Sequence, residues 1–145
     1  MKNNKSGFTL IELLVVIAII GLLSTLSILA LNTARARARD AKRISDVKQI
    51  QTALEMFYND TSNYPATLVP GNSVSSSGSV FLRQVPTAPT PTDGTNCGSA
   101  VTAYTYTYDT VSGGGASYHI NYCLGATVNN ITGNAMQTAT PAGIN

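Results

Sequence analysis

Between Phe8 and Leu31 the chain reads FTLIELLVVIAIIGLLSTLSILAL, 24 residues with a single charge, Glu12. As an α-helix this run is about 36 Å long, enough to cross a bilayer. A helix apolar on all sides needs cover on all sides, and the rest of a 145-residue chain supplies little. An ordinary cleaved signal has an apolar core of only about 7–15 residues, so the run exceeds it, although Ala34-Arg35-Ala36 has the small-x-small form of a cleavage site. Glu12 is the anomaly. A carboxylate at the centre of a bilayer costs roughly 2.5–3.5 kcal/mol on insertion scales and is rare without a task. Either Glu12 has a partner inside the apolar phase, or it lies near enough to one end to snorkel to the headgroups.

Orientation signals conflict. Lys2 and Lys5 precede the run, whereas Arg35, Arg37, Arg39, Lys42, Arg43 and Lys48 follow it, and a count of basic residues alone keeps the C-terminal part in the cytoplasm. The remainder points the other way. It is rich in Ser, Thr, Asn, Gly and Tyr, and it holds the two cysteines, Cys97 and Cys123. In an exported chain such a pair reads as a disulfide worth about 3 kcal/mol, the alternative being two free thiols. Asp40 and Asp46 dilute the basic run, and the expectation is an exported C-terminal part. A net charge of +2 gives little electrostatic drive toward nucleic acid, and Arg35, Arg37 and Arg39 spread around a helix rather than lining one stripe. Nucleic acid is therefore a possible but unsupported partner, with lipid headgroups and a plain helix surface the simpler role for these cations. His119 stands alone, so no metal site is expected, and no cofactor motif occurs.

Beyond Leu31 the apolar pattern continues at helical steps through Ile44, Val47, Ile50, Leu54 and Phe57. The opposite face carries Arg39, Lys42, Arg43, Asp46 and Gln49, with Lys42–Asp46 and Asp40–Arg43 spaced to pair along the surface. With no proline between Phe8 and Tyr64, one helix is predicted from Phe8 to Asn59, ending in the turn formers of 59–65. Strands are predicted at Val80–Val85, Thr102–Asp109, Ser117–Leu124, Ala126–Ile131 and Ala135–Thr140, with Val111–Ala116 a hairpin turn and Tyr104, Tyr106, Tyr108, Tyr118 and Tyr122 as sheet packing. The fold class is α+β, one long N-terminal helix packed on a small antiparallel β-sheet.

The stretch KSGFTLIELLVVIAIIGLL, Lys5–Leu23, resembles the N-terminus of type IV prepilins and the related pseudopilins of type II secretion and DNA-uptake machines, and 36–65 resembles their exported helix and following turn. The resemblance implies a leader at 1–7, a membrane or filament-core half of the helix at 8–31, an amphipathic exported half at 32–60, a connecting loop at 61–100 and a β region at 101–145. It implies cleavage by a prepilin peptidase between Gly7 and Phe8, and N-methylation of Phe8. The new amine would then neutralise Glu12 of its own or a neighbouring subunit and set the register of a helical homo-oligomer raised by an assembly platform in the inner membrane. In low dielectric such a pair is strongly preferred over either bare charge.

Two departures from the family pattern stand out. Leu29 occupies a region where pilins often carry proline, so the weaker helix formers Gly21, Ser24, Thr25 and Ser27 are where partial unwinding is expected in a fibre. The acidic calcium loop expected of major pseudopilins has no counterpart, since no Asp or Glu follows Asp109. With the cysteine pair, this tilts the expectation to a major pilin of a surface fibre, not an enzyme, held first in the cytoplasmic membrane and then in an extracellular filament. The alternatives are a secretion or DNA-uptake pseudopilin and a membrane-anchored surface-binding domain.

Overall fold

The computed structural model describes residues 7–91, 93, 97, 106–110 and 115–144. Helix α1 runs Leu10–Thr61, and six strands follow: β1 Val74–Ser76, β2 Ser79–Leu82, β3 Thr107–Thr110, β4 Tyr118–Leu124, β5 Ala135–Thr140 and β6 Gly143–Ile144. The predicted α+β class holds. The helix covers the expected span, displaced by two residues at each end. Its C-terminus is closed by Ser62, which takes a left-handed conformation (φ 60°) and donates its N–H to the Tyr58 carbonyl at 2.7 Å.

The chain divides into two compact units, Met1–Arg35 and Ala36–Asn145. In the first, the described residues are helical from Leu10 onward and all are exposed. The hydroxyls of Ser24, Thr25, Ser27 and Thr33 donate to the carbonyls of Ile20, Leu22, Leu23 and Leu29, so these four hydroxyls are satisfied within their own helix.

The second unit holds the core. Ile44, Val47, Ile50, Ala53 and Leu54 of α1 cluster with Tyr106, Tyr118, Ile120, Tyr122, Leu124 and Ala139 of the sheet side. The sheet order is β3-β4-β5-β6, and the antiparallel registers Tyr108↔Ile120, Ile120↔Ala139 and Ala139↔Ile144 set one inward row. Tyr118, Ile120, Tyr122 and Leu124 alternate along β4 and are all buried. The tyrosines predicted to pack the sheet do so where they are described, and Tyr104 lies outside the described residues, as do 111–114 of the predicted turn.

Three strand expectations change. Ala126–Ile131 is not a strand. Asn129 turns left-handed (φ 53°), and Val128 and Ile131 exchange N–H···O bonds of 3.1 and 3.0 Å across the two asparagines, so an apparent alternation is a tight reversal. The 61–100 connection carries a hairpin rather than one strand. Ser77 and Gly78 both have positive φ (48° and 87°), the signature of a two-residue primed turn, and pair β1 with β2. Of Val80–Val85, only the part to Leu82 is strand; Val85 instead donates to the Asn72 carbonyl. The short β6 has no signal in the sequence, because two residues are too few for periodicity to register.

Candidate assembly site and the buried charge cluster

Glu12 sits in the first turn of α1. Its carboxylate accepts from the Thr9 backbone N–H at 2.8 Å and from the Thr9 hydroxyl at 2.7 Å, while Thr9 Oγ1 faces the Glu12 N–H at 3.3 Å. This is a reciprocal capping box in which two orphan donors of the helix N-terminus are satisfied by side chains three apart. Its Thr-x-x-Glu signature, Thr9 to Glu12, is legible in the sequence. Gly7 and Phe8 lie just ahead of the helix, both exposed, with Phe8 at 83%. From Leu10 to Leu31 the large apolar side chains remain open. This helix is long and apolar enough to cross a membrane. Gly21, Ser24, Thr25 and Ser27 lie in continuous helix in the single chain.

The second half of α1 corrects one reading. Asp40, Arg43 and Asp46, assigned to a solvated face, are buried (0%, 1% and 6% exposed). The Asp40–Arg43 pair forms as spaced, at 2.6 Å, but inside the domain. Arg39 engages Asp93 through both its Nε and Nη2, and Arg43 reaches the same carboxylate at 3.1 Å. The hydrogen bonds from Arg39, then from Arg43, hold the Asp93 carboxyl below the ordinary carboxylate range against the opposing effect of burial. Asp46 accepts from Lys42 at 3.1 Å and from the buried Tyr106 hydroxyl at 3.0 Å. Of the basic run after the membrane segment, Arg39, Lys42 and Arg43 are thus occupied within the domain, and Arg35 and Arg37 are exposed. Lys48, the last of the run, is exposed as well.

Cys97 and Cys123 are joined in a disulfide with Cα atoms 5.8 Å apart, across a sequence separation of 26. The bond is buried and ties the loop holding Asp93 to the end of β4. Farther along α1, Glu55 accepts from Tyr64 at 2.9 Å, with Tyr118 at 3.5 Å. Burial raises the phenols of Tyr64, Tyr106 and Tyr118, and pushes those of Tyr108 and Tyr122 up to about 12.

The family model described as the prokaryotic N-terminal methylation motif matches residues 2–28. Among curated proteins, the chain is 39% identical over 66 residues to type II secretion system core protein G of Aeromonas hydrophila, covering 46% of each. It is 37% identical over 67 residues to the protein of the same name from Dickeya chrysanthemi (46% of this chain, 44% of the other). The Escherichia coli K12 protein of that name is 38% identical over 65 residues, 45% of each. The matches span just under half the length of these relatives. No solved structure matches.

Proposed function

We propose that this chain, a member of the type IV pilin and pseudopilin family by its N-terminal methylation motif and its core protein G relatives, is a pseudopilin: a structural subunit of a type II secretion or closely related machine. The observation that carries this is the N-terminal apolar helix, open along its described length and bearing one carboxylate in its first turn. Before assembly, lipid covers that surface and the exported domain stands outside the cytoplasm. A prepilin peptidase cuts after Gly7, Phe8 becomes the methylated N-terminus, and helices of neighbouring subunits replace lipid around one another. The helix-side chemistry supports the sequence of events. Glu12 is held by Thr9 in the single chain, and a cationic amine on Phe8 would offer it a full opposite charge. A subunit would enter the fibre until that amine meets a carboxylate, which sets its register on the inner-membrane platform.

A type IV pilus subunit is the second reading. It is favoured by the Cys97–Cys123 disulfide and by the lack of any Asp or Glu after Asp109. The two readings separate on what the native cell makes. Deleting this chain should stop export of folded proteins while leaving surface fibres in place. Loss of long fibres with export intact would favour the pilus. For the shared part of the reading, sheared material is analysed by mass spectrometry and microscopy. Filaments whose subunits begin at methylated Phe8 are expected, and subunits that retain Met1 would sink it.

A further inference from the structure

The two terminal nitrogens of the Arg43 guanidinium are enclosed by oxygen, while its buried Nε has no hydrogen-bond partner among the described residues. Nη1 donates to Asp40 Oδ1 at 2.6 Å and to Asp93 Oδ2 at 3.1 Å, and Nη2 donates to the carbonyls of Pro89 and Pro91, each at 2.9 Å. Two carboxylates and two main-chain carbonyls converging on one point form the ligand type that proteins use for a hard divalent cation. Here that point is filled by a side chain that is itself 1% exposed. Prolines suit the purpose, because they bring carbonyls to the site and no N–H. Each carboxylate also has work beyond Arg43. Asp40 accepts from the backbone N–H groups of Gly125 and Ala126 at 3.1 and 2.9 Å, just past β4, and Asp93 accepts from Arg39. A side chain at Gly125 would collide with Asp93, so the approach of the two segments needs glycine. Formal charges balance, two carboxylates against two guanidiniums, and a divalent ion would upset that balance.

We infer that Arg43 is a built-in cation: its guanidinium fastens the Pro89–Pro91–Asp93 segment and, through Asp40, the end of β4 to the helix, as a bound calcium ion would fasten an oxygen-lined loop. Arg43 is a positioning residue for that loop, and the domain keeps its form without a metal supplied from the medium. Arginine serves because its planar fork reaches four acceptors at once and stays charged when buried.

The test uses the full chain purified in detergent, digested with a protease, with cleavage sites mapped by mass spectrometry. For the parent chain, cleavage between Leu82 and Cys97 should change less than about twofold between EDTA and millimolar calcium, as linkage requires when no ion is bound. Arg43→Met, similar in length and uncharged, should raise cleavage there at least about tenfold, because two buried carboxylates lose a partner. Arg43→Lys, which restores charge but not the fork, should recover part of the protection. A parent chain that calcium protects several-fold over EDTA would overturn the inference, as would Arg43→Met resisting as well as Arg43→Lys. Should Arg43→Met fail to fold, the chelator comparison on the parent chain still decides.

Discussion

One helix carries two opposite surfaces in succession. In its first half the large apolar side chains are open, from Val16 at 46% to Leu10 at 81% exposure. In the second half, three charged side chains, Asp40, Arg43 and Asp46, are buried among apolar ones. A soluble helix usually has the reverse of both. The difference teaches where each half finds its partners. The second half is covered by its own sheet and loops, so its charges can be matched atom by atom within the chain. The first half has an apolar surface that is open in the single chain, and in the proposed function its cover comes from lipid or from other subunits.

The most severe way to break this contrast is at Glu12. Replacing it with Val should reduce sheared filaments by more than about tenfold, since a buried amine would lack its counter-charge. The same substitution should leave the melting of the Ala36–Asn145 unit unchanged, because Glu12 lies in the other compact unit. Thr9→Val is the milder companion. It removes the hydroxyl on both sides of the capping box, at about 1 kcal/mol of helix stability, while sparing the carboxylate. Normal filament yield from Glu12→Val would show that apolar packing alone sets the register.

Asp40→Ala attacks the second half. It strips Arg43 of its shortest contact and leaves the N–H groups of Gly125 and Ala126 without an acceptor. A loss of about 3–5 kcal/mol in domain stability is expected, read by urea denaturation, as for a buried pair that loses one member. Membrane insertion should be unaffected. A cost under about 1 kcal/mol would mean that the cluster behaves like surface charge, and the contrast between the halves would weaken.

That cluster also marks the limit of what the sequence made legible. Helical spacing identified the Asp40–Arg43 and Lys42–Asp46 pairs correctly, because contacts at i, i+3 and i, i+4 are properties of the helix alone. Burial is not such a property. Pro89, Asp93 and Gly125 arrive from 46 to 85 positions away, and no periodicity within α1 announces them. The same division holds in the sheet. β4 and β5 fall where strands are expected, at Ser117–Leu124 and Ala135–Thr140, whereas Asn129-Asn130 lies inside an expected strand although its residue types favour a turn. At the N-terminus of α1, Gly7–Phe8 and Glu12 are legible as a motif, whereas the Thr9–Glu12 capping box depends on where the helix begins.

Reducing the Cys97–Cys123 bond should cost about 3 kcal/mol in the chain-entropy model, less than Asp40→Ala can reach, because the ion cluster still holds the loop. Reduction that unfolds the domain outright would make the disulfide, not the cluster, the main fastening. The pH response follows from the tyrosines and Asp93. Phenols raised in the folded state contribute stability that is complete below the unfolded value near 10 and is lost as pH rises toward 12 and beyond. The lowered Asp93 contributes above the ordinary carboxylate value of 3.8, and that contribution is lost as pH falls below it. Phenolate absorbance followed beside circular dichroism should therefore show Tyr64, Tyr106, Tyr108, Tyr118 and Tyr122 ionising together with unfolding. Ionisation of these five near pH 10 in a still-folded domain would contradict the burial of their rings.

The smallest expected effect falls on Lys42. Its side chain is 57% exposed while its partner Asp46 is 8% exposed, and Asp46 also accepts from the buried Tyr106 hydroxyl. Removing the lysine leaves Asp46 with that hydroxyl and with access to water along the helix surface. Lys42→Ala should cost no more than about 0.5 kcal/mol, the usual worth of an exposed i, i+4 pair. Tyr106→Phe removes the inner partner and should cost more, about 1–2 kcal/mol, since the lost hydrogen bond is to a charged group in a buried setting. If the lysine proved the costlier of the two, Asp46 would be held from the solvent side, and the second half of the helix would depend on its surface more than its burial pattern implies.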